Sequence, residues 1–565
     1  MATFKVFFCV CALIILGACR TQAPTADAPP VAEEERAEVA APTVDDIGQV
    51  QFETSCTGAA QAQFEIGLAR LHHMAYQQAR ESFVEAASLD VDCAMAQWGI
   101  AMTYYTPLWA VPGLPALEAG AQAVARARAL GAPTEREQDF IAAVAAFYEN
   151  YEEVDHGTRA EAFRAGWEQA YQRYTEDVEA ASFYALATVA TIPPATETTE
   201  ALERAGSILE RVLEQEPRHP GGHHYLIHAY DHPALAERAI NVARSYAELA
   251  PSLPHPLHMP SHIFTRLGQW DEVIDLNLRS AEAAERLLVE GQTPMDFYHA
   301  LDYVVYGYLQ KGQDREAAQI AERTRAADNP VSHIVAVGYA SIAIPARLAL
   351  ERRDWESAAG IAPLHPTQLP WEEWPPAQAI VHAARAVGAV NIGDLEAARD
   401  AFVRLEEVRA KTAEGPQDFW TIHVQIYHGV VDALLEQAAG NTAVAVEKMR
   451  AAATLQDALG KHPVMPGRII EAREYLGDLL YQNGEYAQAL EIFERSMELT
   501  PNRFRPLYGA ASSARMAEMP ERARAHYARL LELTADSEQT RPELQEAREY
   551  IKEAQAASRL ESQDQ

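Results

Sequence analysis

The chain has 565 residues, with 81 Asp plus Glu against 47 Lys plus Arg and a formal charge of −34. Only six of the basic residues are Lys, and so acidic a balance excludes nucleic acid as the main partner, which needs a basic surface. A hydrophobic content of 48% excludes wholesale disorder.

Residues 1–18 carry Lys5 and then an apolar run from Val6 to Leu16, too short to span a bilayer and of the length of a secretory signal core. The run ends in Leu16-Gly17-Ala18-Cys19, which resembles the bacterial lipoprotein box. That resemblance implies cleavage before Cys19 and lipid on its thiol; the alternative is an ordinary signal-peptidase site beside a chance cysteine. Where lipoproteins kept in the plasma membrane carry Asp, this chain has Arg20, so the resemblance implies a periplasm-facing lipoprotein of the outer rather than the inner membrane. Residues 19–47 are rich in Ala, Pro and Glu and poor in buriable surface, and are expected to form a disordered tether. Of the five cysteines, Cys9 and Cys11 leave with the signal and Cys19 takes the lipid. Cys56 and Cys93 then remain as one pair, expected to close a disulfide in an oxidising compartment.

From 48 to 540 the chain reads as all-α: Ala-rich segments of helical periodicity separated by short Gly, Pro or Asp breaks. Leu476, Gly477, Gly484, Ala489, Phe493 and Pro501 fall at the spacings of the tetratricopeptide repeat, and Ala511, Ala523 and Tyr527 recur in the next unit. Gly67, Ala79, Phe83 and Ala86 repeat the pattern near the start, so the clearest units are 64–95 and 470–535. Looser copies place the same Ala at 317, 358, 398 and 445, at spacings that call for longer helices or loops. The expected fold is a TPR-like α-solenoid of stacked antiparallel helix pairs, followed by a terminal helix and tail over 541–565. Such arrays offer a groove for a peptide or a partner helix.

Residues 219–262 hold eight of the 19 histidines. His224, His228 and Asp231 lie at i, i+4 and i+7 on one helical face, and His258 with His262 forms a second i, i+4 pair. If both pairs face one groove, four imidazoles, or three plus Asp231, converge on a divalent metal such as Zn²⁺, Cu²⁺ or Fe²⁺. His219, His255 and His299 are further candidate ligands or outer partners, as is Asp302. The alternative is a set of buried histidines satisfied by carbonyls and carboxylates, or capping the Pro-rich junctions. His223 and His232 point off the shared face; His72 reads as core and His73 as surface. Trp98, Tyr104, Tyr105 and Trp109 read as packing between helices rather than as a ligand platform. No GxSxG, HExxH, phosphate-loop or GxGxxG motif occurs, so no catalytic residue is assigned and enzymatic activity stays open.

The stretches CAMAQWGIAM (93–102), HPGGHHYLIHAYD (219–231), HMPSHIFTRLGQW (258–270) and YHALDYVVYGYLQ (298–310), with PGRIIEAREYLGDLL and PNRF (466–504), carry a family likeness. The chain resembles a group of bacterial tetratricopeptide-repeat proteins, often lipoproteins, with HPGxxHYxIHxxD and HMPSHIF motifs. The resemblance implies that His219, His224, His228, His255, His258 and His262 belong to a shared pattern from which His223 and His232 depart; it brings no substrate or reaction. Two functions are therefore expected. One is a membrane-anchored scaffold binding an envelope protein or peptide. The other is a metal-binding protein, or metal-dependent enzyme, with its site at 219–262.

Overall fold

The computed structural model describes residues 47–563 except 194–198, 288–291, 328–329, 332–333, 363, 416–417 and 539. The signal (1–18), Cys19 and the tether up to residue 46 lie outside the described residues. Among the described residues the chain is all-α, with no strand and one isolated bridge between Thr293 and Pro330. None of these helices is long and apolar enough to cross a membrane.

Helix boundaries follow local chemistry. Asp177 accepts from the backbone N–H groups of Glu179 and Ala180 and so caps the helix Val178–Ala190. Gly268, at φ 63°, closes the helix Pro260–Leu267 in the left-handed region that glycine tolerates best. Short turns of this kind make successive helices neighbours, and each packs on the next along the chain.

The TPR-like register rests on aromatic wedges. Phe83, on the helix Tyr76–Leu89, sits against Gly67 of the preceding helix and Gly99 of the following one, where a Cβ would collide with its ring. Phe493 makes the same contact with Gly477 and Gly509. In both units the ring fills the gap between its own repeat and the next, which is why small residues stand opposite it. Cys56 and Cys93 are disulfide-bonded across this first unit, with Cα atoms 4.9 Å apart.

Some of the longer units owe their length to long helices, as Leu395–Ala413 and Phe419–Ala438 do, and others to connections that turn inward. Residues 460–471 cross the middle of the array: Tyr303 donates its hydroxyl to the carbonyls of Pro463 and Met465, and Arg347 donates to those of Gly467 and Arg468. The segments around Leu108–Trp109 and Val335–Ala336 reach the same place. Three connections thus converge over one point, and that point is the histidine segment.

Candidate metal centre

Prolines set the helices that carry the histidines. Pro220 occupies the first turn of Pro220–Tyr230, and Pro254 and Pro260 do the same for Pro254–His258 and Pro260–Leu267. Met259, at φ −53° and ψ −39°, keeps the last two on one helical path, so His258 and His262 share a face despite the break. His299 comes from Met295–Gln310.

These elements bring five imidazoles into a closed loop. Ring centroids are 4.9 Å apart for His224–His228, 5.9 Å for His228–His262 and 5.0 Å for His262–His258. The loop closes through His258–His255 at 6.1 Å and His255–His224 at 4.8 Å. His299 stands beside it, 4.2 Å from His258. The potential ligand atoms form two groups, His224/His228/His255 and His258/His262/His299, with members of each within 4.8 Å of one another.

The partners on Nδ1 decide which way the lone pairs point. His224 Nδ1 lies 2.6 Å from the carbonyl of His72, one of the unpaired carbonyls at the end of the helix Gly58–His72. That oxygen only accepts, so Nδ1 donates to it. His258 Nδ1 lies 2.7 Å from Asn277 Oδ1, and Asn277 Nδ2 donates to the carbonyl of Val273, which fixes the amide's orientation. His262 Nδ1 donates to Asp231 Oδ2 at 2.9 Å. All three neutral rings therefore turn an Nε2 lone pair toward the cluster.

At two places these nitrogens meet. His258 Nε2 is 3.0 Å from His262 Nε2, and His224 Nε2 is 3.1 Å from His255 Nε2. The second contact works as a hydrogen bond if His255 donates. In the first, neither neutral ring has a proton left to give. Among the described residues, His228 Nε2 and His255 Nδ1 are buried without a hydrogen-bond partner.

Burial holds these rings neutral. It pushes His224, His255 and His258 well below the ordinary value of 6.5, assisted by the neighbouring imidazoles, and takes His228 down to about 3. His262 is lowered by burial first and then by Lys461. Asp231, its side chain 8% exposed, is a hub that also accepts from Arg266 Nε at 2.7 Å and lies 3.0 Å from Lys461 Nζ. Burial alone would raise its pKa, but Lys461 and Arg266 outweigh that and keep it well below the carboxylate range.

A cavity of about 30 Å³ touches His228, His255, His262, His299 and His462 and is otherwise lined by apolar groups, Met259 and Val464 among them. A larger apolar vestibule of about 240 Å³, lined by Met74, Tyr76, Pro254 and Met295, shares Trp109 and His255 with it.

The structure thus gathers His224, His228, His255, His258, His262 and His299, and sets Asp231 behind His262 as an acceptor. His219 lies elsewhere. Its Nδ1 accepts from the N–H of Gly222, and its Nε2 and that of His72 both reach Glu179, at 3.1 and 2.8 Å. With Tyr225 on His72 Nδ1 at 3.0 Å, that group is fully satisfied. Asp302 is no ligand either: it pairs with Arg347 at 2.9 Å, both fully buried. His73 is core rather than surface, between the Ile47 carbonyl and Tyr246 Oη. Trp109 does more than pack helices, since its ring lies 5.0 Å from that of His255 on the cavity wall. Asn277, Lys461 and His462 carry no sequence signal; they reach the site from other helices and a distant connection.

No family model matches the chain, and no curated protein matches it. Similar solved structures include a human IFIT1 dimer with m7Gppp-AAAA, at 12% identity over 78% of this chain and 90% of that one, TM-score 0.35. The APC/C hetero-tetramer Cut9–Hcn1 matches at 10% identity over 88% and 90%, TM-score 0.31. Naa15/Naa10 bound to HypK-THB matches at 12% identity over 89% and 92%, TM-score 0.24. These are likenesses between helical arrays, and nothing about ligand or partner is taken from them.

Proposed function

We propose that this chain is a metal-binding protein of the bacterial cell envelope, built on a TPR-like array and tethered through lipid on Cys19. The observation that carries the metal reading is the His258–His262 contact. Two imidazoles fixed by Asn277 and Asp231 turn lone pairs at each other across 3.0 Å, and a cation between them relieves the repulsion; the Tyr303 hydroxyl, 3.5 Å from His262 Nε2, lies closer to the carbonyls of Pro463 and Met465. A proton is disfavoured there by burial and by nearby Lys461. An ion bonded tetrahedrally at ~2.0–2.1 Å holds its nitrogens roughly 3.3 Å apart, a few tenths of an ångström from this spacing. Neutral imidazole donors suit Zn²⁺, copper and Fe²⁺ rather than Mg²⁺ or Ca²⁺. Such an ion would supply Lewis acidity or, as copper or iron, electron exchange; the chain's own groups orient the imidazoles and limit water to one small cavity.

The test is protein stripped with a chelator, reloaded with Zn²⁺ or Cu²⁺ alone, and passed through gel filtration before elemental analysis. Retained metal that falls away in the His258→Ala/His262→Ala variant, with helix content unchanged, supports the reading. No retained metal sinks it.

A scaffold role attaches to a different place. An open groove of about 600 Å³ between the helices Pro376–Asn391 and Leu395–Ala413 is lined by His382, Arg385, Arg404, Asp400 and Glu407, with Val403 exposed. Mixed charge around exposed apolar surface suits a peptide partner. A photocrosslinker at Val403 in intact cells tests it: one discrete product supports the role, and none contradicts it.

A further inference from the structure

We propose that the cluster takes two metal ions, one on His224, His228 and His255 and one on His258, His262 and His299, with a small anion bridging them in the cavity between. This rests on the metal-binding reading above and deepens it.

Six imidazoles are more than one tetrahedral ion uses. They divide without sharing a member into two groups of three, the ligand atoms of each within 4.8 Å of one another. Each group contains one close Nε2 pair, His224/His255 at 3.1 Å and His258/His262 at 3.0 Å, as two ligands of one ion would be spaced. Each also has its own outer support. The His72 carbonyl orients His224, whereas Asn277 and Asp231 orient His258 and His262. His228 Nε2, buried and without a partner among the described residues, completes the first trio. His299, 4.2 Å from His258 between centroids, completes the second.

The groups stand side by side, with ring centroids 5.9 Å apart for His228–His262 and 6.1 Å for His255–His258. The cavity of about 30 Å³ is lined by His228 and His255 from one group and by His262 and His299 from the other. It lies where a bridging ligand would lie, and it has room for one or two heavy atoms. Charge selects the ligand. Two divalent ions among six neutral imidazoles carry four positive charges, more than Asp231, already shared with Arg266 and Lys461, and Asp296, 3.9 Å from His255 Nδ1, cancel together. Hydroxide meets both demands, since a metal-bound water loses its proton near neutral pH. The apolar vestibule that shares Trp109 and His255 with the cavity gives small molecules a route to the bridge.

Stoichiometry tests this directly. Chelator-stripped full chain is titrated with Zn²⁺ alone and the tightly bound equivalents are counted by elemental analysis. Two equivalents are expected for the wild type, and one for His228→Ala and for His299→Ala with circular dichroism unchanged. Saturation of the wild type at one equivalent overturns the two-ion proposal and leaves the metal-binding reading standing; zero removes both. The wild-type count decides the matter even if a variant fails to fold. The bridge has its own readout: in the Cu²⁺-loaded protein, magnetic coupling lowers the EPR signal per copper well below that of isolated ions. A full signal contradicts the bridge.

Discussion

His258 and His262 face each other through Nε2 atoms 3.0 Å apart, with each Nδ1 already committed to an oxygen on a different element. Asn277 is the more instructive of the two partners, because its own Nδ2 is held by the Val273 carbonyl and it cannot flip to accommodate another tautomer. Removing its oxygen frees His258 to rotate or to change tautomer. Partners of this kind are worth about 10–100-fold in metal affinity. Asn277→Ala is therefore expected to weaken Zn²⁺ binding by about that factor in a chelator competition, with helix content unchanged. Unaltered affinity would show that the ring is held some other way.

Asp231 ties His262, Arg266 and Lys461 together in a site from which water is largely excluded. Losing its charge leaves two buried cations facing each other, and breaking a buried pair from one side costs about 3–5 kcal/mol. Asp231→Asn is expected to lower the unfolding free energy of the metal-free protein by that amount. Lys461→Met added to it should recover part of the loss. If the double variant is no more stable than the single one, Lys461 is not what Asp231 neutralises.

Much of the fold was legible in the sequence, and for one reason. The wedge made by Phe83 or Phe493 needs small residues at fixed offsets, so Gly67, Ala79, Gly477 and Ala489 write the repeat into the chain locally. The helical faces of His224/His228 and His258/His262 were legible in the same way, from spacing alone. What spacing could not give was the third dimension. His219 belongs to the same motif as His224, yet it caps its helix and turns toward Glu179, because Gly221 lets the His72 ring approach too closely for a Cβ. His255, from sequence a further candidate ligand or outer partner, is aimed at His224 by the Pro254 helix start. Asn277 and Lys461 come from remote segments, and nothing in their neighbours marks them. Trp109 reads as packing from sequence because an aromatic on a connection carries no sign of which wall it lines.

The wedge itself makes a stability prediction. Phe493 is buried between Gly477 and Gly509 at the junction of two units. Truncating a buried Phe to Ala costs about 3–5 kcal/mol, through lost transfer energy and the cavity left behind. Phe493→Ala is expected to lower the denaturant midpoint accordingly. Gly509→Ala should also destabilise, since its Cβ would stand 2.5 Å from the ring. A neutral Gly509→Ala would mean that the ring has slack the packing does not suggest.

Acid should weaken the fold above the pH range in which ordinary carboxylates are protonated. His73 and His423 are fully buried, and burial pushes each down to about 3 from an ordinary 6.5. The unfolded chain then binds protons first as pH falls, so their stabilisation is complete above about 6.5 and is lost between 6.5 and 3. Within that window each group contributes a slope of up to about 1.4 kcal/mol per pH unit. Urea denaturation of the metal-free protein at pH 7.5, 6 and 5 should show a falling midpoint, and His73→Gln should flatten the slope. A midpoint constant over that range would contradict buried neutral imidazoles.

X-ray absorption at the zinc edge of reloaded, gel-filtered protein tests the central claim most directly. The account predicts a first shell of nitrogen at ~2.0–2.1 Å with the outer-shell scattering of several imidazole rings, lost in His258→Ala/His262→Ala. An oxygen-dominated shell without imidazole scattering, or no retained zinc, would contradict it.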